Sequence, residues 1–283
     1  MNSITMNKKV SRTYNIHRKF TSSIRLTPNF IIFGVQRSGT TSLYNYLVQH
    51  PYIISSITKE VGFFEANYHR GINWYRSHFP TTFYKYFLKQ IRHHDIITGE
   101  ATPSYINHPK AHERIFSTIP KIKLIILLRN PIDRAYSHYL QSVKLGREKL
   151  SFEKAIVMET ERLDGEEEKM LKNENYYSLA YHNFAYLTVG IYINRIKNWK
   201  IFFSNDQLLV LKSEELFSDP TLIVNQVFNF LKLPDFKLKK YGRYNYNQNQ
   251  SSMDNSIRKR LVEFYKPHNE KLYDFLGKNF SWE

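Results

Sequence analysis

The sequence predicts an α/β fold, a single P-loop-like domain whose central, mostly parallel sheet is flanked by helices. Three observations carry that expectation. The apolar run from Phe30 to Val35 passes through a glycine-containing loop into a segment with Leu43, Tyr46 and Leu47 at helical spacing. A second apolar run, Lys123 to Leu128, passes through "RNP" into another helical segment. Strands alternating with helices in this way build a parallel sheet covered on both faces, with ligands bound beyond the carboxyl ends of its strands.

The elements follow in chain order. Residues 1–29 carry Lys8, Lys9, Arg12, Arg18 and Arg25 among several Ser and Thr, with no acid and no apolar core of a secretory signal. They read as a basic, flexible arm or a transit-like segment, and the domain occupies residues 30–283. The first strand leads through Gly34 and Gly39 to a helix over Thr41 to Gln49, which Pro51 ends. Ile96 to Gly99 and Gln207 to Leu211 read as further short strands. After "RNP" a helix spans Ile132 to about Val143, with Pro131 placed to start it. Thr221 to Leu231 and Ser256 to Phe275 read as helices, the latter interrupted near Pro267, and Asn245 to Ser252 as a polar loop.

A chain of 283 residues that is 42% hydrophobic buries one sizeable core. Its lack of cysteine excludes a disulfide framework, a thiolate nucleophile and a zinc–thiolate site. No run approaches the roughly 18 to 20 apolar residues that span a bilayer, so a soluble chain is expected, cytoplasmic or, if residues 1–29 act as a transit segment, in an organelle. The net charge of +16 implies an anionic partner, whether nucleic acid, acidic polysaccharide or membrane lipid. The acids between Glu159 and Glu168 read as a solvated helix face or loop.

The loop "GVQRSGTTS" has the glycine spacing of a phosphate cradle, yet Thr40 stands where a nucleotide triphosphatase carries lysine. The "LIILL" strand likewise ends in Arg129 and Asn130 where a magnesium-binding acid is wanted. Positive charge sits instead at Arg37 inside the loop and at Arg129 across the sheet, which suits an anion held without a metal. The helix start, with the hydroxyls of Ser38, Thr40, Thr41 and Ser42, makes an anion site. A Gly-Thr-Thr turn that merely caps a helix is the plainer alternative. Because "RNPIDRAYSHY" sets Arg129 and Ser137 at the second junction, the two sites together suggest a ligand with two separate anionic groups.

"FGVQRSGTTSLYNYL" followed by "LLRNPIDRAYSHY" resembles the two signature segments of sulfotransferases that use 3′-phosphoadenosine 5′-phosphosulfate, closest in flavour to the heparan sulfate branch. The likeness continues through "KEVGFFE", "GINWYRSHFP", "GEATPSY", "LLVLKSEELFSDP" and "KPHNEKLYDFLGKNFSW", covering nearly everything after residue 29. It implies that Arg37, Ser38, Gly39, Thr40, Thr41 and Ser42 surround the phosphosulfate, with Arg37 where the family usually has lysine. It also implies that Arg129 and Ser137 hold the 3′-phosphate. "KKYGRY" looks like the loop that closes over the nucleotide, which adds Lys240, Tyr241, Gly242 and Arg243. Glu60 resembles the catalytic glutamate, with Arg37 as its catalytic partner; a surface ion pair with Lys59 is the alternative for that carboxylate. Trp74 and Tyr75 suit stacking on a sugar ring or packing in the core. The likeness departs at Ala101, where 3-O-sulfotransferases carry an acceptor-site lysine.

The resemblance therefore implies transfer of a sulfuryl group to a hydroxyl or amine, with carbohydrate the favoured acceptor, no metal and no nucleic acid partner. A P-loop nucleotide kinase and a non-catalytic polyanion- or nucleic-acid-binding module are the alternatives.

Overall fold

The computed structural model describes residues 17–242 and 253–282 of the chain. Arg243 and the polar segment from Asn245 to Ser252 lie outside them, as do residues 1–16 of the basic segment. Five strands, β1 (Phe30–Gly34), β2 (Ile53–Ser55), β3 (Ile97–Ala101), β4 (Lys123–Leu128) and β5 (Leu208–Lys212), form one sheet in the order β2-β3-β1-β4-β5. Every pairing is parallel.

Alternation along the central strands divides the core into two layers, because successive side chains of a strand point to opposite faces. Ile31, Phe33, Leu124, Ile126 and Leu128 pack on one face with Ile196 and Trp199, the Phe33 and Trp199 rings lying 4.1 Å apart. Phe30, Ile32, Ile125 and Leu127 pack on the other with Leu43, Leu47, Val224 and Phe228. Burial on both faces is why β1 and β4 read as unbroken apolar runs. Gly99 on β3 gives way to the Phe30 ring: a Cβ there would sit 2.4 Å from the ring.

The helices fall close to their expected places, at Thr40–Leu47, Pro131–Lys144 and Pro220–Phe230. Two expectations need correction. The C-terminal helix runs unbroken over Asn255–Leu276 with Pro267 inside it. Its buried residues Leu261, Tyr265, Asn269 and Leu272 span the proline, and that packing offsets the one lost hydrogen bond. The acidic segment is not wholly solvated, since Glu159 and Glu166 are buried. Glu159 accepts the Leu187 and Thr188 amides at 2.6 and 2.7 Å, and Glu166 accepts the Tyr176 and Ser178 hydroxyls at 2.7 and 2.5 Å. Residues 17–29 pack on the domain: Arg18 donates to the carbonyls of Ser77 and Phe79, and Arg25 donates to that of Phe79.

The sheet order sets the position of the site. The chain leaves β1 toward β3 and β2, and leaves β4 toward β5, so the two connections diverge between adjacent strands. A crevice opens at such a point, beyond the carboxyl ends of the strands. The Arg37 loop and Arg129 flank it.

Candidate active site

The loop after β1 is held from below. Gly39, at φ +89°, caps the Thr40–Leu47 helix in the left-handed region, and a Cβ there would meet Phe217 at 3.0 Å and Leu216 at 3.1 Å. Ser213 Oγ, just after β5, donates to the Ser38 carbonyl at 2.8 Å. Arg37 itself has φ +72°. The first-turn amides of the helix have no acceptor within the helix. The hydroxyls of Ser38 and Ser42 are buried without a hydrogen-bond partner, an arrangement that costs free energy unless a ligand or water supplies one. Thr40 is buried and Thr41 half-buried beside them.

The second junction faces this loop. Asn130 caps the following helix by accepting the Ile132 amide at 3.0 Å, with Pro131 in the first turn. That places Ser137 on the helix face toward the crevice, where its Oγ accepts from Arg37 Nε at 3.0 Å. Arg129 donates to the Arg37 carbonyl at 2.9 Å. Burial, then Arg129 and Arg134, lowers the Arg37 pKa, and burial also lowers that of Arg129, against the opposing pull of Asp133 and Glu214. Three guanidinium groups crowded this way favour any anion that enters.

A polar cleft of about 160 Å³ opens over the loop, lined by Arg37, Thr40, Thr41, Glu60, His138 and His182 among others. Glu60 stands at its rim with 54% of its side-chain surface exposed and pairs with the Lys59 ammonium. The structure shows the ion pair with Lys59 and places the Glu60 carboxylate on the cleft that holds Arg37. Lys240, Tyr241 and Gly242 lie elsewhere, on the far half of the Thr40–Leu47 helix and just past its end. The Gly242 carbonyl accepts Tyr46 OH at 2.8 Å, the Lys240 carbonyl accepts Gln49 Nε2 at 3.0 Å, and Tyr241 meets the Tyr46 ring edge-on at 5.3 Å. Tyr75 is a core residue, fully buried and donating to Glu100 at 2.6 Å, and Trp74 lies under the Arg70 guanidinium.

Sequence reasoning missed Gln36, His138 and His182. His138, within the "RNPIDRAYSHY" segment, is buried and pushed down to about 3, by burial and then by Arg134. It is therefore neutral. Its Nε2 lies 3.0 Å from the His182 carbonyl, which can only accept, so Nδ1 carries the lone pair and has no partner. His182 Nδ1 in turn lies 2.6 Å from Tyr177 OH and 3.3 Å from Gln36 Nε2. Nothing in the sequence around His182 marks it; only the fold brings it to the cleft. Beneath lies the buried carboxyl of Glu65, which accepts from Ser104 at 2.8 Å and is raised by burial to about 7. Among the described residues no group of three His, Asp or Glu is arranged to hold a metal ion, and no helix is long and apolar enough to cross a membrane.

Comparison with known proteins adds to this geometry. A family model described as "Sulfotransferase domain" matches residues 27–271. A membrane-associated sulfotransferase, kil1, of Dictyostelium discoideum is 28% identical over 321 residues, covering 90% of this chain and 66% of that protein. The mouse heparan sulfate glucosamine 3-O-sulfotransferase 3B1 is 27% identical over 279 residues, covering 90% of this chain and 65% of that one. The chain thus spans just under two thirds of the length of these relatives. Among solved structures, a sulfotransferase from Alicyclobacillus acidocaldarius superposes with a TM-score of 0.68 at 27% identity, covering 90% of this chain and 98% of that one.

Proposed function

The chain belongs to the sulfotransferase domain family, and from that premise we propose that it moves a sulfuryl group from 3′-phosphoadenosine 5′-phosphosulfate to a hydroxyl or amine, with carbohydrate the favoured acceptor. The observation that carries the proposal is the pair of cationic, hydroxyl-bearing sites facing each other across one crevice and joined by the Arg37–Ser137 hydrogen bond. The partnerless hydroxyls of Ser38 and Ser42 fit the 5′ end of such a donor, and Arg129 with Ser137 fits its 3′-phosphate. The carbohydrate preference is supported by the named specificity of the heparan sulfate relative.

The donor supplies a sulfuryl group on a phosphate leaving group. Acceptor oxygen bonds to sulfur as the sulfur–phosphate oxygen bond breaks, leaving a sulfated acceptor and adenosine 3′,5′-bisphosphate. Glu60 takes the proton that the acceptor loses, from a rim position that a bulky acceptor can reach. Arg37 and the helix N-terminus offset the charge that collects on the departing phosphate. Arg129 and Ser137 fix the nucleotide so that sulfur faces Glu60, and the fixed positions of these groups supply the rate advantage of orientation.

The test is ligand discrimination without magnesium. Adenosine 3′,5′-bisphosphate at about 100 times its dissociation constant should stabilise the chain by roughly 2.7 kcal/mol, which for a domain of this size raises the melting point by several degrees. ADP, lacking the 3′-phosphate, should bind at least about tenfold more weakly. Equal shifts, or a shift that needs magnesium, would return a P-loop kinase to consideration.

A further inference from the structure

The cleft that holds Arg37 and Glu60 has a second wall, which the transfer step described above leaves unused. His138, Gln141, Ser142 and Leu145 line it at the spacing of one helix face, over a stretch of about 10 Å along the Pro131–Lys144 helix. Arg147 stands at the far end of that wall. Gly146, at φ +69°, turns the chain out of the helix, and the Arg147 and Glu148 amides both donate to the Ser142 carbonyl, at 2.9 and 3.2 Å. Glu148 anchors the turn: it is buried and accepts from Arg162 Nη1 at 2.5 Å and from Tyr186 OH at 3.0 Å.

Arg147 Nη1 donates to Asn183 Oδ1 at 2.9 Å, which holds the guanidinium while leaving most of its five donors unused. Among the described residues it forms no ion pair, unlike Arg162, Arg195, Arg258 and Arg260. Arg37 and Arg129, by contrast, are tied to the Ser137 junction and to the loop after β1. His182 senses both ends of the cleft. Burial lowers its pKa, Arg147 lowers it further, and Glu60 opposes them, so the cation and the carboxylate act on one imidazole from within the same cleft.

We infer that Arg147 selects the acceptor by pairing with an anionic group, a carboxylate or a sulfate, on the sugar chain whose hydroxyl or amine meets Glu60. The inference rests on the sulfuryl-transfer reading above. An arginine fork matches either anion with two parallel hydrogen bonds, and a charge at the end of the wall fixes the register of the chain along the cleft. Among the described residues that line the cleft only Pro103 and Leu145 are apolar. A hydroxyl-rich sugar therefore fits it better than a tyrosine-bearing acidic peptide, whose ring would find little to pack against.

The experiment supplies labelled donor to the full chain with heparosan, chondroitin and polygalacturonate, with the carboxyl-reduced form of each, and with carboxyl-reduced forms that carry O-sulfate instead. Label should pass to at least one acidic polysaccharide, and its neutral, carboxyl-reduced form should be at least about tenfold poorer in kcat/KM. The O-sulfated forms tell whether sulfate can stand in for the carboxylate. Arg147→Gln should raise KM for the acidic acceptor at least about tenfold with kcat within a few-fold, erasing the preference over the neutral form. Arg147→Lys should recover only part of it, since an ammonium lacks the fork. A parent chain that binds adenosine 3′,5′-bisphosphate no better than ADP would refute the transfer reading itself. With that binding present, the inference is overturned by label passing equally to acidic and neutral glycans, to a tyrosine peptide but no acidic glycan, or to nothing. An Arg147→Gln variant whose KM is unchanged, or which loses acidic and neutral acceptors alike, would also overturn it.

Discussion

Arg37 Nε donates to Ser137 Oγ at 3.0 Å, joining the loop after β1 to the helix after β4. The two proposed anion sites share a wall, and Arg129 strengthens it by donating to the Arg37 carbonyl. Arg37→Ala should therefore weaken adenosine 3′,5′-bisphosphate and ADP alike. Arg129→Ala should act chiefly on the bisphosphate and erase most of its preference. A charge-assisted hydrogen bond contributes roughly 1.5 to 3 kcal/mol, so each loss should be about tenfold or more. Calorimetric titration of both nucleotides into both variants separates these effects.

Glu60→Gln keeps the shape of the side chain and removes its basicity. Turnover should fall by about 10² to 10⁴, the usual contribution of a general base, while affinity for the bisphosphate stays within a few-fold. The exposed position of Glu60 makes misfolding a poor explanation for such a loss. A variant with near-parental turnover would move the base elsewhere on the cleft, with His138 Nδ1 the next group to test.

Gly39→Ala tests the loop's conformation. At φ +89° a side chain costs about 1 to 2 kcal/mol, and the added carbon must also displace Phe217 or Leu216. The melting point should drop by several degrees, and nucleotide affinity should drop with it as the loop shifts to ease the left-handed strain at Gly39. Unchanged affinity at a lower melting point would separate the loop from the ligand.

Glu65 sets a pH dependence whose sign is fixed by its burial. Its carboxyl is raised from the ordinary 4.5 to about 7, so across that window the folded chain holds a proton that the unfolded chain has released. Stability should fall as pH rises through the window, by roughly 3 kcal/mol for this group. Glu65→Gln should lose that slope and melt higher than the parent at pH 8, with little difference at pH 5. Parallel pH profiles for parent and variant would contradict it.

The strands that carry the site were legible because they are buried on both faces: β1 and β4 show continuous apolar runs, followed by breaks that Gly39 and Pro131 mark. The edge strand β2, Ile53–Ser55, is too short and too exposed to leave such a trace. Arg37, Arg129 and Ser137 were legible as chemistry next to those strands, and the topology brings them together. Glu60 was singled out by resemblance, since a carboxylate beside a lysine has no local signature of catalysis. Glu159 and Glu166 were misread because a run of acids gives no sign of which members will cap a turn or accept buried hydroxyls. His182 reaches the cleft from a distant segment, its carbonyl meeting His138 Nε2 and its Nδ1 meeting Gln36 Nε2, relations no periodicity encodes.

Transfer of a labelled sulfuryl group tests the central claim most directly. The chain is incubated with 3′-phosphoadenosine 5′-[³⁵S]phosphosulfate, a chelator, and a panel of glycans, lipids and phenols. Label should pass to a carbohydrate, with one adenosine 3′,5′-bisphosphate released for each sulfate transferred, and the transfer should collapse in Glu60→Gln. Absence of label on every acceptor, in a preparation that binds the bisphosphate no better than ADP, would contradict the account.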